Sequence, residues 1–264
     1  MADSKAQANI IAFEQLLRGE SQSLTLDRVA LEVARLEFPN LTLNQITAPL
    51  DQLATEVRSR MIHGFRLAAQ RRLFEELGFA GNEDDYYNPR NSCLNWVLDS
   101  RTGIPISLSV MYIEVARRLG VRVDGVSAPG HFLVRLEDDG ETFYLDPYRG
   151  GIIRDDVESE VPAALLLPAT PRVIAIRMLN NLRQIYIERR SWQKAEAVLD
   201  RILIADPRDG DALRQRSAAR ASLRRFKAAA QDLERFLQIA SESPDAEGLQ
   251  KQLLQLRRLH AAQN

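Results

Sequence analysis

The sequence predicts an α+β domain in its first 165 or so residues, followed by an all-helical repeat domain. Around Val121–Val126 and Phe132–Leu136 the apolar pattern changes from helical periodicity to the alternating or continuous pattern of strands. The C-terminal third has helical patterns only, and these repeat. The charge divides as well, because residues 1–170 carry 17 Lys and Arg against 25 Asp and Glu, and residues 171–264 carry 18 against 11. Two modules with different surfaces are therefore expected.

The composition limits the class of protein. The 264 residues are 45% hydrophobic and 27% charged, which is typical of a globular chain large enough for two domains. No apolar run approaches the roughly 20 residues of a membrane helix, and the N-terminus lacks the pattern of a secretion signal. The single cysteine, Cys93, has no partner for an internal disulfide. We expect a cytoplasmic protein that does not associate with membranes.

The N-terminal region reads as helical. Residues 7–18 and 24–37 have one apolar face each, and residues 43–77 continue with apolar spacings of three and four. Pro49 and Gly64 are candidate breaks within the last stretch.

The middle of the chain predicts a helix packed on a small antiparallel sheet. The acidic, aromatic loop Glu83–Pro89 precedes this part. The predicted elements are, in order, helices at 91–100 and 107–119, strands at 121–126 and 132–136, a hairpin turn at 138–140 and a return strand at 142–145. Pro162, Pro168 and Pro171 then indicate a linker, so the domains are predicted at 1–165 and 172–264.

The C-terminal part repeats with a period of 34 residues, which is the period of the tetratricopeptide repeat. The matching pairs are Arg190 and Arg224, Trp192 and Phe226, Ala195 and Ala229, and the stretches 199–203 and 233–237. The second copy is degenerate, because Arg220 replaces the aromatic Tyr186 and Pro244 comes late compared with Pro207. Residues 249–259 predict a capping helix.

Two roles for the repeats are left open. They either brace the first domain or form a groove for a protein or peptide partner. The arginines that would receive an acidic partner include Arg183, Arg190, Arg220 and Arg224. No direct contact with nucleic acid is expected, because aromatic platforms and reading motifs are absent from the sequence.

The order of three predicted elements indicates a candidate site. These elements are a helix N-terminus, a strand bearing His131 and a strand ending in Asp146. Nucleophile, histidine and acid machinery can be built on that order. The structural alternatives are that Ser107 caps its helix, that His131 is a satisfied structural histidine and that Asp146 is a turn residue before Pro147. No metal or cofactor is expected, because the three histidines lack ligand spacing and there is no phosphate-binding glycine loop.

Four stretches of the sequence resemble the bacterial SirB-type family. They are Asn91–Leu98, Arg101–Ser109, Pro129–Leu133 and Leu145–Pro147. The resemblance implies a transglutaminase-like (papain-like) core with a helical N-terminal region, followed by an all-α tetratricopeptide-repeat domain. It also implies a regulatory role.

In the related enzymes a cysteine at a helix N-terminus attacks an acyl group, with a histidine and an aspartate beside it. By motif, His131 and Asp146 match the histidine and the aspartate, and Ser107 stands nearest the nucleophile position. A serine hydroxyl is far less acidic than a thiol, so this catalytic set is degenerate. We therefore expect a non-catalytic scaffold, or pseudoenzyme. The alternative is a hydrolase or acyltransferase that uses Ser107 or Cys93 with the His-Asp pair.

Overall fold

The computed structural model describes residues 2–18, 25–128, 130–138, 140–240 and 245–263. It forms two compact units, Met1–Met178 and Leu179–Asn264. The first unit mixes helices with small sheets and the second is helical, which confirms the predicted fold class.

Seven helices and the start of an eighth belong to the described part of the first unit. They are α1 (Ala2–Arg18), α2 (Leu26–Ala34), α3 (Asn44–Arg58), α4 (Phe65–Ala69), α5 (Leu94–Ser100), α6 (Pro105–Arg118), α7 (Val157–Glu160) and α8 (Pro171–Glu188). Gly64 separates α3 from α4 with a φ of 90°. Pro49 does not break α3, contrary to the sequence prediction, because the helix buries Leu50 and Val57 beyond it. A π-helical segment, Gln70–Glu76, continues α4.

The strands form two sheets. β1 (Ala80–Gly81) and β2 (Thr102–Gly103) pair in parallel. The antiparallel sheet has the order β3-β4-β5-β6. Its strands are β3 (Val123–Val126), β4 (Leu133–Asp138), β5 (Glu141–Asp146) and β6 (Ile152–Ile153). The three longer strands confirm the prediction, whereas β1, β2 and β6 are too short to leave an alternating pattern.

Helix α6 forms the centre of the first unit. Every residue from Ile106 to Ala116 is buried. It contacts α3 and α5 on the helical side and β3 and β4 on the sheet side. A helix that is apolar on all sides is typical of such a central position. The hydroxyl of Ser109 donates to the carbonyl of Phe132 at 3.3 Å, which fixes the N-terminal half of α6 next to the start of β4.

The segment predicted as a linker packs on the sheet. Leu166 of this segment and Val161 just before it pack against a core that includes Val126, Tyr144 and Val157. The amide of Ala169 donates to the carbonyl of Gly125 at 2.8 Å, so the chain follows the β3 edge before α8 begins at Pro171.

The second unit contains the rest of α8, α9 (Trp192–Ala205), α10 (Gly210–Ser222), α11 (Phe226–Ile239) and α12 (Ala246–Ala261). Helices α9 and α11 begin and end 34 residues apart, as the repeat predicts. Ala195 and Ala229 are fully buried, so a small residue at this position allows close packing. Helix α12 confirms the capping helix, and Pro244 lies outside the described residues.

The repeat extends to the backbone of the turns. Arg190 and Arg224 both adopt left-handed backbone conformations, with φ of 52° and 59°. This conformation is strained for a residue with a Cβ and free of that strain for glycine.

We expect Arg224→Gly to raise the free energy of unfolding by about 0.5–1 kcal/mol, because it removes that strain. Thermal melting of the full chain measures the change. Arg224→Ala is the matched control, since it removes the same side chain but keeps the Cβ. An equal gain in both variants would attribute the effect to charge rather than to the backbone.

Candidate functional site

Ser107 lies in the first turn of α6 and is fully buried. Its hydroxyl donates to the carbonyl of Asn91 at 2.6 Å and accepts the N–H of Ile104 at 3.1 Å. The carbonyl of Ile104 lies at 3.1 Å as well. The hydroxyl is thus bonded to the backbone on all sides and ties the start of α6 to the preceding turn.

Asn91, which sequence reasoning missed, connects Ser107 to the acidic, aromatic loop. Its fully buried side chain donates to the carbonyls of Asp85 at 2.7 Å and Tyr86 at 3.2 Å. It also accepts a hydrogen bond from Asn82 at 3.1 Å. The sequence gives no signal for this role, because the loop is irregular and its hydrogen bonds follow no period.

Cys93 is fully buried at the N-terminus of α5. Its thiol lies 3.7 Å from the carbonyl of Pro89. Because Ser107 bonds to Asn91, the two candidate nucleophiles belong to neighbouring helix starts, and both are shielded from solvent.

Asp146 ends β5 and is 1% exposed. One carboxylate oxygen, Oδ1, accepts the N–H groups of Tyr148 at 3.0 Å and Arg149 at 3.3 Å. The other oxygen, Oδ2, is buried and receives no hydrogen bond from the residues that the structure describes, and the Nε of Arg149 lies 3.9 Å from it. Asp146 therefore shapes the turn after β5 and keeps one acceptor unused.

His131 lies just before β4, at the sheet edge where β5 ends, since Val134 pairs with Leu145. It is exposed, and its amide donates to the carbonyl of Ala128 at 3.2 Å. Its ring makes no hydrogen bond or ion pair with the residues that the structure describes. Pro129, in the same motif, lies outside those residues.

Arg177 of α8 packs beside His131. Its guanidinium donates to the hydroxyl of Ser127 at 2.5 Å and lies 3.4 Å from the carbonyl of His131. It also stands over the ring of Phe132, with 5.5 Å between the guanidinium carbon and the ring centroid. Burial lowers the pKa of Arg177, yet an arginine in a protein stays protonated.

Three tyrosines form a cluster nearby. The Tyr86 ring lies 5.3 Å from Tyr87 and 6.1 Å from Tyr148, both edge to face. Burial raises the pKa of Tyr86, the phenol of Tyr87 adds to this, and the charge of Arg177 opposes it. Tyr148 covers Gly81, where a Cβ would stand 2.3 Å from the ring. The glycine thus allows the ring to pack flat on the backbone.

The structure brings His131 and Asp146 to the same end of the antiparallel sheet, but the three predicted triad residues do not form a hydrogen-bonded set among the described atoms. None of Ser107, His131 and Asp146 bonds to another through its side chain among the described atoms. Their catalytic roles, and that of Cys93, stay predictions.

The arginines predicted to bind a partner differ in their surroundings. Arg220 pairs with Glu196, Asp200 and Asp232 of its own unit at 2.9, 3.1 and 2.8 Å. Arg183 lies 3.8 Å from Asp209. Arg190 and Arg224 are exposed at the turns of the repeat. The guanidinium of Arg220 is thus engaged in ion pairs within its own unit, because three carboxylates surround it.

Two further findings concern the described ranges. No three His, Cys, Asp or Glu side chains converge there in a way that could hold a metal ion. No helix in those ranges is both long enough and apolar enough to cross a bilayer.

Residues 44–180 match the transglutaminase-like superfamily, and residues 182–254 match the tetratricopeptide repeat. The fold and these matches define a transglutaminase-like domain joined to tetratricopeptide repeats. The chain belongs to the UPF0162 family of such proteins. It is 39% identical over 257 residues to the UPF0162 protein of Xylella fastidiosa (strain 9a5c), covering 90% of this chain and 92% of that protein.

More distant relatives extend the comparison. The UPF0162 protein of Vibrio cholerae is 28% identical over 85% of this chain and 89% of its own length. F-box only protein 21 of Mus musculus is 49% identical over 74 residues, which are 28% of this chain and 12% of that protein. No solved structure matches the chain.

Proposed function

We propose that this protein is a non-catalytic scaffold that binds a protein or peptide partner through its transglutaminase-like domain and its repeats. The observation that supports the proposal is the state of Ser107, which is buried with its hydroxyl bonded to the backbone of Asn91 and Ile104. A nucleophile must reach both a base and a substrate. Ser107 meets neither requirement in this arrangement.

The burial of Cys93 also supports a non-catalytic scaffold. A reactive cysteine is partly exposed in an electropositive environment, whereas an inert one is buried. Cys93 is fully buried with its thiol directed at a carbonyl. Binding is the function left to the exposed surface around His131. A regulatory role, implied by the SirB-type resemblance, would then act through the bound partner.

One observation favours the alternative of a hydrolase or acyltransferase. The Oδ2 of Asp146 and the ring of His131, neither of which has a hydrogen-bond partner among the described residues, are the two halves of an acid–histidine pair. Such a pair would form if the ring of His131 met Asp146 at the end of the sheet where β4 begins and β5 ends. The alternative still requires Ser107 or Cys93 to become accessible.

Activity-based labelling distinguishes the two functions. Wild type, Ser107→Ala, Cys93→Ala and His131→Ala are treated with an iodoacetamide probe and a fluorophosphonate probe. We expect no labelling that depends on His131, because neither candidate nucleophile bonds to its ring. Unfolding in urea should expose Cys93 to iodoacetamide, which serves as the control for a competent thiol.

Labelling of a single residue that disappears in His131→Ala would establish an activated nucleophile and refute the scaffold. Circular dichroism of each variant checks that its fold is retained. Ser107→Ala should cost about 1 kcal/mol of unfolding free energy, since it removes hydrogen bonds at the start of a central helix.

A further inference from the structure

Arg177 is a half-buried cation that has no carboxylate partner among the residues that the structure describes. The guanidinium bonds to the hydroxyl of Ser127 and approaches the carbonyl of His131, both of which are neutral. No Asp or Glu of the described chain lies within ion-pair distance of it. Removing a charge from water is costly unless the charge is paired. A half-buried arginine with neutral partners therefore indicates that an anion completes the site.

The guanidinium is already fixed in position. The hydroxyl of Ser127 and the carbonyl of His131 take up two of its N–H groups, and the 1%-exposed ring of Phe132 supports it. Several N–H donors remain, and in an arginine they form a planar fork that matches a carboxylate. Little conformational entropy is left to lose when an anion binds.

The neighbouring rings suit a peptide rather than a free ion. Tyr86 and Tyr87 expose 38% and 54% of their surface. Tyr86 packs edge to face on Tyr148, which follows β5 at the end of the sheet where Arg177 approaches the carbonyl of His131, so the cation and the aromatic cluster belong to one surface. Exposed tyrosines next to an arginine are typical of protein-binding sites.

The surrounding charges favour an anion of a single negative charge. The buried carboxylate of Asp146 accepts the N–H of Tyr148 at 3.0 Å and contributes negative potential next to the tyrosines. Arg149 lies against Asp146, which offsets its charge in part. A doubly charged phosphate would be repelled more strongly than a carboxylate in such a field.

We propose that Arg177, supported by Phe132 and flanked by Tyr86, binds a glutamate or aspartate carboxylate of a protein partner. This inference rests on the proposed binding function and moves the predicted acidic partner from the repeat arginines to the first unit.

The test uses two peptides that differ in one group, acetyl-Ala-Glu-Ala-amide and acetyl-Ala-Gln-Ala-amide. Each is titrated into the full chain, and the NMR signal of the Arg177 side-chain Nε–H is followed, assigned by its loss in Arg177→Gln. We expect saturable binding of the Glu peptide and binding of the Gln peptide that is weaker by about tenfold or more, since only the carboxylate pairs with the guanidinium. Equal binding of the two peptides would overturn the proposal without any variant.

Two variants locate the site. Arg177→Gln, in which binding is followed on the backbone amide signal of Phe132 because the Arg177 signal is absent, should abolish the difference between the peptides. Arg122→Gln is the matched control, because Arg122 has an 83%-exposed side chain and an acidic partner, Asp124, at 3.3 Å. A difference that survives in Arg177→Gln would place the carboxylate elsewhere and refute the assignment.

A third peptide, acetyl-Ala-phosphoserine-Ala-amide, tests the choice of anion. Binding tighter than that of the Glu peptide would overturn the carboxylate assignment. The labelling experiment stays independent of this titration. Labelling that depends on His131 together with selective Glu binding would refute the scaffold and keep the site, whereas the reverse pattern would refute the site alone.

Discussion

Arg216→Met is expected to lower the free energy of unfolding of the repeat unit by about 3 kcal/mol, because it leaves a buried carboxylate with half of its partners. Arg216 of α10 is 8% exposed and Asp232 of α11 is 2% exposed. The guanidinium donates to the two oxygens of Asp232 at 2.6 and 2.9 Å, and to Asp200 of α9 at 2.7 Å. One side chain thus joins three consecutive helices.

The expected loss lies at the lower end for a buried pair, since Arg220 also donates to Asp232, at 2.8 Å. The double variant Arg216→Met/Asp232→Leu should recover part of the loss, because an apolar pair of similar volume leaves no unpaired charge. Recovery would separate the cost of the orphaned carboxylate from the cost of altered packing.

Arg214→Met on the same helix is the matched control. Arg214 has a 42%-exposed side chain, and Asp245 lies 3.9 Å away. Its loss should cost about 0.5 kcal/mol or less. Urea unfolding is followed in a Trp96→Phe background, where Trp192 of α9 reports on the repeat unit. Equal losses in the two variants would show that the network contributes nothing beyond surface charge.

The same network shows what sequence patterns give and what they leave out. The period of 34 residues predicts the helices of the repeat, because packing of like faces requires like spacing. It also marks Arg220 as the residue that replaces Tyr186, and we predicted partner binding from its charge. The structure places Glu196 and Asp200 on α9 opposite Arg216 and Arg220 on α10. Within each pair the two residues are four apart, so the sequence does show that both side chains lie on one face of their helix. It does not show that the acidic face of α9 packs against the basic face of α10.

The candidate site was less accessible to prediction than the fold. The motifs around His131 and Asp146 place both residues at one sheet edge, as the strands and the hairpin require. Arg177 lies in α8, beyond three prolines that read as a linker, and no local pattern connects it with Phe132. Contacts of this kind arise from tertiary packing, which single-sequence periodicity does not contain.

We expect the second large effect on stability at the turn after Asp146. Gly150 and Gly151 both adopt positive φ, at 70° and 73°. Nothing lies within 4 Å of a Cβ added at Gly150, whereas a Cβ at Gly151 would stand 2.3 Å from the ring of Phe74. Gly150→Ala should therefore lower the free energy of unfolding by about 1 kcal/mol, from backbone strain alone. Gly151→Ala should lower it by about 3 kcal/mol or more, because overpacking against Phe74 adds to the same strain.

The ring cannot move away easily, because Phe74 belongs to the π-helical segment, is 7% exposed and stacks on Tyr112 with 6.0 Å between centroids. The amide of Gly151 donates to the carbonyl of Asp146 at 2.8 Å. A shift of the turn would therefore loosen the residues that position Asp146.

Urea unfolding of the two alanine variants measures the stability difference, and the NMR signals of Tyr148 and Arg149 report on the turn. If Gly151→Ala lowers the free energy of unfolding no more than Gly150→Ala does, the ring of Phe74 moves aside. The contact between the π-helical segment and the turn would then not hold this side of the site in place.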